Sequence, residues 1–297
     1  MNIWITGCAG FLGTQLALAF GSAGHRVIGL DRRVCPVASE SAVIDLSSGE
    51  ILAHLQTIVG QYGKPDVIIH AATLKPGRYN LAEYVKSNVL ATANLLDAIS
   101  ILSPRQFIYT STLSVYGRPD KNPVDEEHPT RCDFPYAATK LAGEYLFRSS
   151  PTQSQVVIFR LPSLYGVGQA DSFVDGLASL ALQDKPIELY AEGKVVRDAL
   201  HVSDVVNAIQ SCVSRPPASP FLCLNLGCGQ AITSRQYAEA LVQALESASP
   251  IIPVDRHSTQ QFDLYADIRA AQEQIGFSPM CLSSAMKKYA DELHTQS

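Results

Sequence analysis

The chain has 297 residues, which at roughly 150 residues per domain points to one large domain or two coupled smaller ones. Hydrophobic residues at 46% against 17% charged exclude a disordered chain and are enough for a full core without disulfides or metal. The net charge of -5 argues against a broad nucleic-acid or anionic-membrane surface and leaves room for a local basic pocket.

Seven cysteines, an odd number with no C-x-x-C pair, read as reduced thiols. Seven histidines show no metal-ligand spacing, so no metal is expected. The apolar start MNIWITGCAGFLG lacks a positively charged opening and is interrupted by glycines, unlike a secretion signal. No 18-residue run is free of charge and turn residues as a membrane span requires. The expectation is a soluble, cytoplasmic protein with no membrane or nucleic-acid partner.

Short β-branched runs predict strands at 2–6, 26–30, 42–46, 67–71, 106–111 and 155–160. Helical periodicity predicts helices near 11–23, 49–61, 81–100 and 136–150, with two more near 233–246 and 282–293. In the run 81–100, Leu81, Tyr84, Val85, Val89, Ala93 and Leu96 fall at helical spacing and are expected to face the core. Strands alternating with helices imply right-handed βαβ units. The fold class expected is α/β: a Rossmann-type doubly wound parallel sheet with a smaller mixed α/β lobe at the C-terminal side. The expected division is 1–162 with a return segment near 194–228 for the first part, and 163–193 with 229–297 for the second.

The first candidate site is the turn after the first strand. Gly7, Gly10 and Gly13 follow a strand and open a helix. Such glycines allow a tight turn, close backbone approach to a pyrophosphate, and close helix–strand packing. The helix N-terminus then offers free N–H groups to phosphate. Asp31, ending the second strand, suits ribose hydroxyls and repels a 2′-phosphate, which favours NAD. Arg32 and Arg33 leave NADP open, because a guanidinium there can grip a 2′-phosphate. Asp45 is either an acceptor for the adenine amino group or a local turn acid.

The second candidate site is Tyr136-Ala137-Ala138-Thr139-Lys140 at the start of a helix. An i, i+4 pair shares a face. A cation near 4 Å at an effective dielectric near 20 is worth roughly 4 kcal/mol, enough to bring a phenol from near pH 10 toward neutrality. Tyr136 is therefore expected to be acidified by Lys140 and to work as an acid–base group. Thr112 lies at the carboxyl end of a strand, where it can bond the same substrate oxygen.

TGCAGFLG, Asp31, DVIIHAA, NVLATANLL, TSTLSVYG, YAATK, FRLPSLYG and RDALHVSD occur in this order along the chain. The set resembles the extended short-chain dehydrogenase/reductases, in particular the NAD-dependent sugar-nucleotide epimerase/dehydratase group, UDP-galactose 4-epimerases among them. The resemblance implies that Thr112, four residues before Tyr116, is the catalytic Ser/Thr, Tyr136 the acid–base residue, and Lys140 the holder of the nicotinamide ribose. It implies that Phe11, Leu12, Leu46, His70, Ala71, Ala72, Asn88 and Leu161 line the cofactor beside the residues above. Lys75, Ser163 and Arg197 are implied at the substrate, with Arg197 on its diphosphate. Asp198, His201 and Asp204 are taken as structural. The resemblance also implies a homodimer built on the helices near 81–100 and 136–150.

This chain departs from the group in places. Ser163 stands where asparagine is common, three residues after Arg160. Leu113 and Ser114 replace the Asp-Glu pair of the dehydratases, so the acid and base for their water elimination are missing and that chemistry is not expected. Asp267-Ile268-Arg269-Ala270-Ala271 retains one C-terminal motif, but Arg256-His257-Ser258 replaces the Arg-Pro-Gly-Asp before it. The reading is an NAD(P)-dependent epimerase of a nucleotide-activated sugar. The alternatives are a dehydrogenase or keto-reductase of a sugar nucleotide, sugar acid or small alcohol, and a catalytically silent NAD-binding protein.

Overall fold

Asn2–Thr6 (β1), Arg26–Asp31 (β2), Glu40–Val43 (β3), Val67–His70 (β4), Gln106–Thr112 (β5) and Gln155–Leu161 (β6) form one sheet with the strand Phe221–Asn225. The computed structural model describes residues 1–255 and 262–296. The sheet order is Phe221–Asn225, β6, β5, β4, β1, β2, β3. β1 pairs in parallel with β2 and β4, and the pairs β2–β3 and β4–β5 are also parallel. Strand order reverses beside β1, the point at which doubly wound sheets bind ligands at their carboxyl ends. Every residue of β4 and β5 is buried, as a sheet covered on both faces requires. Trp4, Ile28, Ile68, Phe107, Tyr109 and Phe147 share the main core, with the Phe107 and Phe147 rings 4.8 Å apart.

The third strand lies earlier than expected, at Glu40–Val43 rather than 42–46. Ile44 and Leu46 are buried beyond its end, while Asp45 bends the chain by accepting from the Ser47 N–H and hydroxyl. The expected helix 81–100 is broken into Leu81–Tyr84, a π-helical stretch Val85–Leu90, Ala91–Asp97 and Ile99–Leu102. The extra residue per turn of a π stretch moves the buried stripe. Tyr84, Asn88, Ala91, Thr92, Leu95 and Leu96 face inward. Leu81 and Val85, expected in the core, are 66% and 51% exposed.

The described residues divide into two units. The first comprises 1–117, 130–160 and 206–224, and the second 118–129, 161–205 and 225–297. Four segments differ from the sequence division: 118–129, 161–162, 194–205 and 225–228 go with the second unit. Val124 forms a parallel bridge to Ala266, and Asn225 bonds Val124 and Glu126, which binds the first of these segments there. Asp198, in the third segment, accepts from the Cys228 and Ala266 N–H groups. The second unit has its own core, with Tyr165, Leu177, Ile187, Tyr237, Leu241 and Met286 at its centre. No helix among the described residues is long and apolar enough to cross a membrane.

Candidate active site

The turn from β1 into the helix Phe11–Ser22 is shaped by close approach. Gly7 has φ +70°, and a Cβ there would lie 2.6 Å from the Ala72 nitrogen. A Cβ on Gly13 would overlap the Gly7 carbonyl oxygen and come within 2.7 Å of the Cys8 Cα. Both obstacles are backbone and cannot swing aside. Gly10, the N-cap of this helix, gives its first N–H groups no side-chain acceptor, which suits them to a phosphate.

Asp31 closes the cradle. Its carboxylate accepts from the Ala9 N–H at 3.1 Å and the Arg33 N–H at 3.0 Å, and the Arg33 guanidinium donates to the Ala9 carbonyl at 2.9 Å. Arg33 is thus engaged in holding the turn. Asp45 takes the turn-acid role described above, and the Arg32 charge helps hold its carboxyl below the usual range after the Ser47 hydroxyl. Phe11 and Leu12 begin the helix, and both are half-buried.

His70 is buried between the hydroxyls of Thr6 at 2.6 Å and Thr92 at 2.9 Å. Burial, then the nearby Lys140, push its pKa down to about 3, so the ring is a neutral tie between β1, β4 and the helix Ala91–Asp97. The backbone of Ala71 and Ala72 continues from it against Gly7. Asn88, on the π stretch, accepts the Leu74 N–H at 2.6 Å and donates to the Leu74 carbonyl and the Thr139 hydroxyl. It joins the loop after β4 to the helix Pro135–Ser149.

That helix presents Tyr136. The hydroxyls of Thr112 and Thr73 lie near the phenol and favour its ionised form. Thr112, buried at the end of β5, accepts from the Ser114 N–H at 3.2 Å. Thr73 was not singled out from the sequence. It sits in the loop after β4, and only the fold carries it to Tyr136. Lys75 is on the same loop and exposed.

Lys140 corrects the expected acidification. Its Nζ lies 4.0 Å from the centre of the Tyr109 ring. Burial pushes the Tyr136 phenol up to about 12, the Thr73 and Thr112 hydroxyls oppose this, and Lys140 is not among the groups that move it. The reason is that Lys140 is itself buried. Desolvation brings its pKa from 10.5 down to about 7, with Glu144 opposing, so at neutral pH it carries only part of a charge. Between pH 7 and 10.5 the unfolded lysine holds a proton that the folded one has lost, so stability rises with pH in that window. Wild-type protein is expected to gain up to about 1.4 kcal/mol per pH unit over Lys140→Met there, read by urea denaturation without cofactor at pH 7.5 and 9. Parallel stability curves for the two proteins would contradict this.

The residues present fit a dinucleotide. The cradle has no room for side chains, and the buried Lys140 ammonium has no hydrogen-bond acceptor among the described residues. Gly13→Ala is expected to displace the turn and weaken NAD binding by about 10- to 100-fold in calorimetry, given an overpacking cost of about 1–3 kcal/mol. Unchanged affinity would contradict the cradle.

A family model described as NAD dependent epimerase/dehydratase family matches residues 3–220. The chain belongs to this family. Family members similar to it include the probable UDP-glucuronate 4-epimerase of Rhizobium meliloti (strain 1021), 29% identical over 287 residues, covering 82% of each chain. The UDP-glucose 4-epimerase of Streptomyces lividans is 26% identical over 98% of this chain and 95% of its own. Among solved structures, MoeE5 in complex with UDP-glucuronic acid and NAD superposes with a TM-score of 0.86 at 27% identity, covering both chains fully. The name of the epimerase/dehydratase family covers two chemistries. Here Leu113 is buried and Ser114 spends its N–H on Thr112, so no carboxylate stands in those two places.

The second unit holds the remaining candidates. Arg197 lies over the Phe173 ring at 5.2 Å and donates through Nε to Ser234 at 3.3 Å. Burial pulls its pKa down, and its two η nitrogens make no hydrogen bond among the described residues. Ser163 starts a short strand and is exposed, and Leu161 is buried at the end of β6. Asp198 acts on backbone N–H groups, while Asp204 accepts from the Met280 N–H and His201 bonds Glu292. These three are structural within their unit. Arg256, His257 and Ser258 lie outside the described residues.

Proposed function

We propose that the protein is an NAD-dependent epimerase that inverts one carbinol of a nucleotide-activated sugar, with UDP-sugars and their C4 centre as the leading class. The observation that supports this most is the Tyr136 phenol on the helix that also carries the buried Lys140, with the Thr112 and Thr73 hydroxyls favouring its ionised form, in a family member that lacks the dehydratase carboxylates. UDP-sugar 4-epimerases among its relatives support the substrate class. NAD, when bound, supplies reversible acceptance of a hydride.

The chain supplies position and proton transfer. Gly7, Gly10 and Gly13 with Asp31 would hold the dinucleotide, and Lys140 would donate to its ribose. Tyr136 takes the proton of the sugar hydroxyl as the carbinol is oxidised and returns it on reduction. Thr112 holds the same sugar oxygen. Arg197 carries a guanidinium suited to a diphosphate. Lys75 and Ser163 are assigned to the sugar, and Asn88 keeps the loop after β4 in register with Tyr136. The test is incubation of the NAD-loaded protein with UDP-, GDP- and dTDP-sugars without reductant. Interconversion of an epimeric pair supports the reading; stoichiometric NADH formation instead would move it to a net dehydrogenase, and no reaction with any would reject it.

The proposal includes a cytoplasmic homodimer. Leu81, Val85 and Leu90 on one helical segment and Tyr145 on the helix packed beside it are 43–66% exposed, an apolar face suited to a second copy. Sedimentation velocity is expected to show a dimer, and Leu81→Glu with Val85→Glu a monomer. A wild-type monomer at micromolar concentration would contradict it.

A further inference from the structure

We infer that Tyr109 is a positioning residue for Lys140: its ring seats the Lys140 ammonium in a buried place that offers no hydrogen-bond acceptor, and so keeps it ready for the dinucleotide. The inference deepens the reading above, since Lys140 is the residue assigned there to the cofactor ribose.

Lys140 is buried, and its Nζ meets no acceptor among the described residues. It lies over the Tyr109 ring instead, 4.0 Å from the centroid. An ammonium within about 6 Å of an aromatic centroid is drawn to the negative face of the ring, most strongly where water is excluded. Tyr109 is wholly buried, so the pair meets that condition.

The ring is fixed from several sides. Its hydroxyl donates to the Lys140 carbonyl at 3.3 Å. A Cβ on Gly143 would overlap that hydroxyl, so a glycine at this point of the helix Pro135–Ser149 lets Tyr109 reach the helix backbone. The His70 ring stacks on Tyr109 at 5.6 Å, and the Phe147 ring packs on it at 4.9 Å. One aromatic side chain of β5 thus holds Lys140 at both its backbone and its ammonium.

The charged and titratable groups near Lys140 leave this task to Tyr109. Glu144, one turn further on, is taken by Arg160 and by the Ser111 hydroxyl, and Arg160 also donates to Tyr116. His70 on β4 is neutral and held between Thr6 and Thr92. Tyr136, one turn back, stacks on Phe134, and Tyr84 spends its hydroxyl on the Gly77 carbonyl. Glu83, Lys86 and Asp97, on the segments packed against the helix, are exposed.

The test changes the charge distribution of the ring and keeps its shape. Full-length protein free of cofactor carries lysine labelled with carbon-13 at Cε, and the Lys140 signal is assigned by its loss in Lys140→Met. Tyr109→Phe keeps the ring and should leave the Lys140 pKa near wild type. Pentafluorophenylalanine at position 109 has nearly the shape of phenylalanine with the ring quadrupole reversed. It should lower the Lys140 pKa by about one unit against Tyr109→Phe. At pH 8, above the Lys140 pKa of about 7, NAD affinity in calorimetry should fall about tenfold with it, the loss of charged lysine that one unit brings. If the fluorinated protein fails to fold, Tyr109→Met, which fills much of the space without a π face, is read the same way. A Lys140 titration or NAD affinity unmoved by the loss of the π face, or moved as far in Tyr109→Phe, would overturn the inference. The titration needs neither cofactor nor sugar, so its failure is distinguishable from the failure of the epimerase reading.

Discussion

Tyr136→Phe is expected to lower kcat by about 10²–10⁴-fold while NAD stays bound, because general acid–base catalysis by one side chain contributes in that range. The phenol is carried by the helix Pro135–Ser149 and lies near the hydroxyls of Thr112 and Thr73, which favour its ionised form. The change removes one oxygen and leaves the ring, which is half-buried and stacked on Phe134 at 6.4 Å. Folding and cofactor retention should therefore be near wild type. Turnover within a factor of a few of wild type would remove Tyr136 from the mechanism and transfer the proton to another group.

Glu144→Ala is expected to destabilise the fold by about 3–5 kcal/mol, the usual cost of leaving one partner of a buried ion pair alone. Glu144 and Arg160 have side chains 8% and 7% exposed and are joined by Arg160 Nη2 to Oε2 at 2.7 Å and Nε to Oε1 at 3.1 Å. Arg160 also donates to the Tyr116 hydroxyl at 2.8 Å, and Ser111 donates to Glu144. Without the carboxylate the guanidinium remains buried, and Ser111 loses its acceptor. Glu144→Gln should cost less, since it still accepts. Urea denaturation reads both, and a loss under 1 kcal/mol for the alanine variant would show that the network contributes little.

The parts of the site that follow local rules were legible in the sequence. The glycine turn and Asp31 obey constraints set by neighbours in the chain, and the structure gives Gly7 and Gly13 the close backbone approaches that exclude side chains. Strands buried on both faces, such as VIIH and QFIYTST, announce themselves as apolar runs. The edge strand ESAV did not, because Ile44 and Leu46 continue the apolar pattern past the point where Asp45 turns the chain. Leu81 and Val85 fitted a helical period that the π stretch then broke.

The chemistry of the site was only half legible. Spacing placed Tyr136 and Lys140 on one helical face, but not the Tyr109 ring under the ammonium, nor the burial that lowers its pKa. Thr73 carries no periodic or motif signal. It bonds Asn88 and lies near Tyr136, each on another segment, and only the assembled fold brings them together.

The most direct test of the whole account is to supply NAD-loaded protein with UDP-glucose or UDP-glucuronic acid deuterated at C4 and follow the sugar by NMR in ordinary water. The account predicts the C4 epimer with its deuterium retained and no accumulation of NADH. Loss of the label to solvent, net NADH, or the unreacted sugar alone would contradict it.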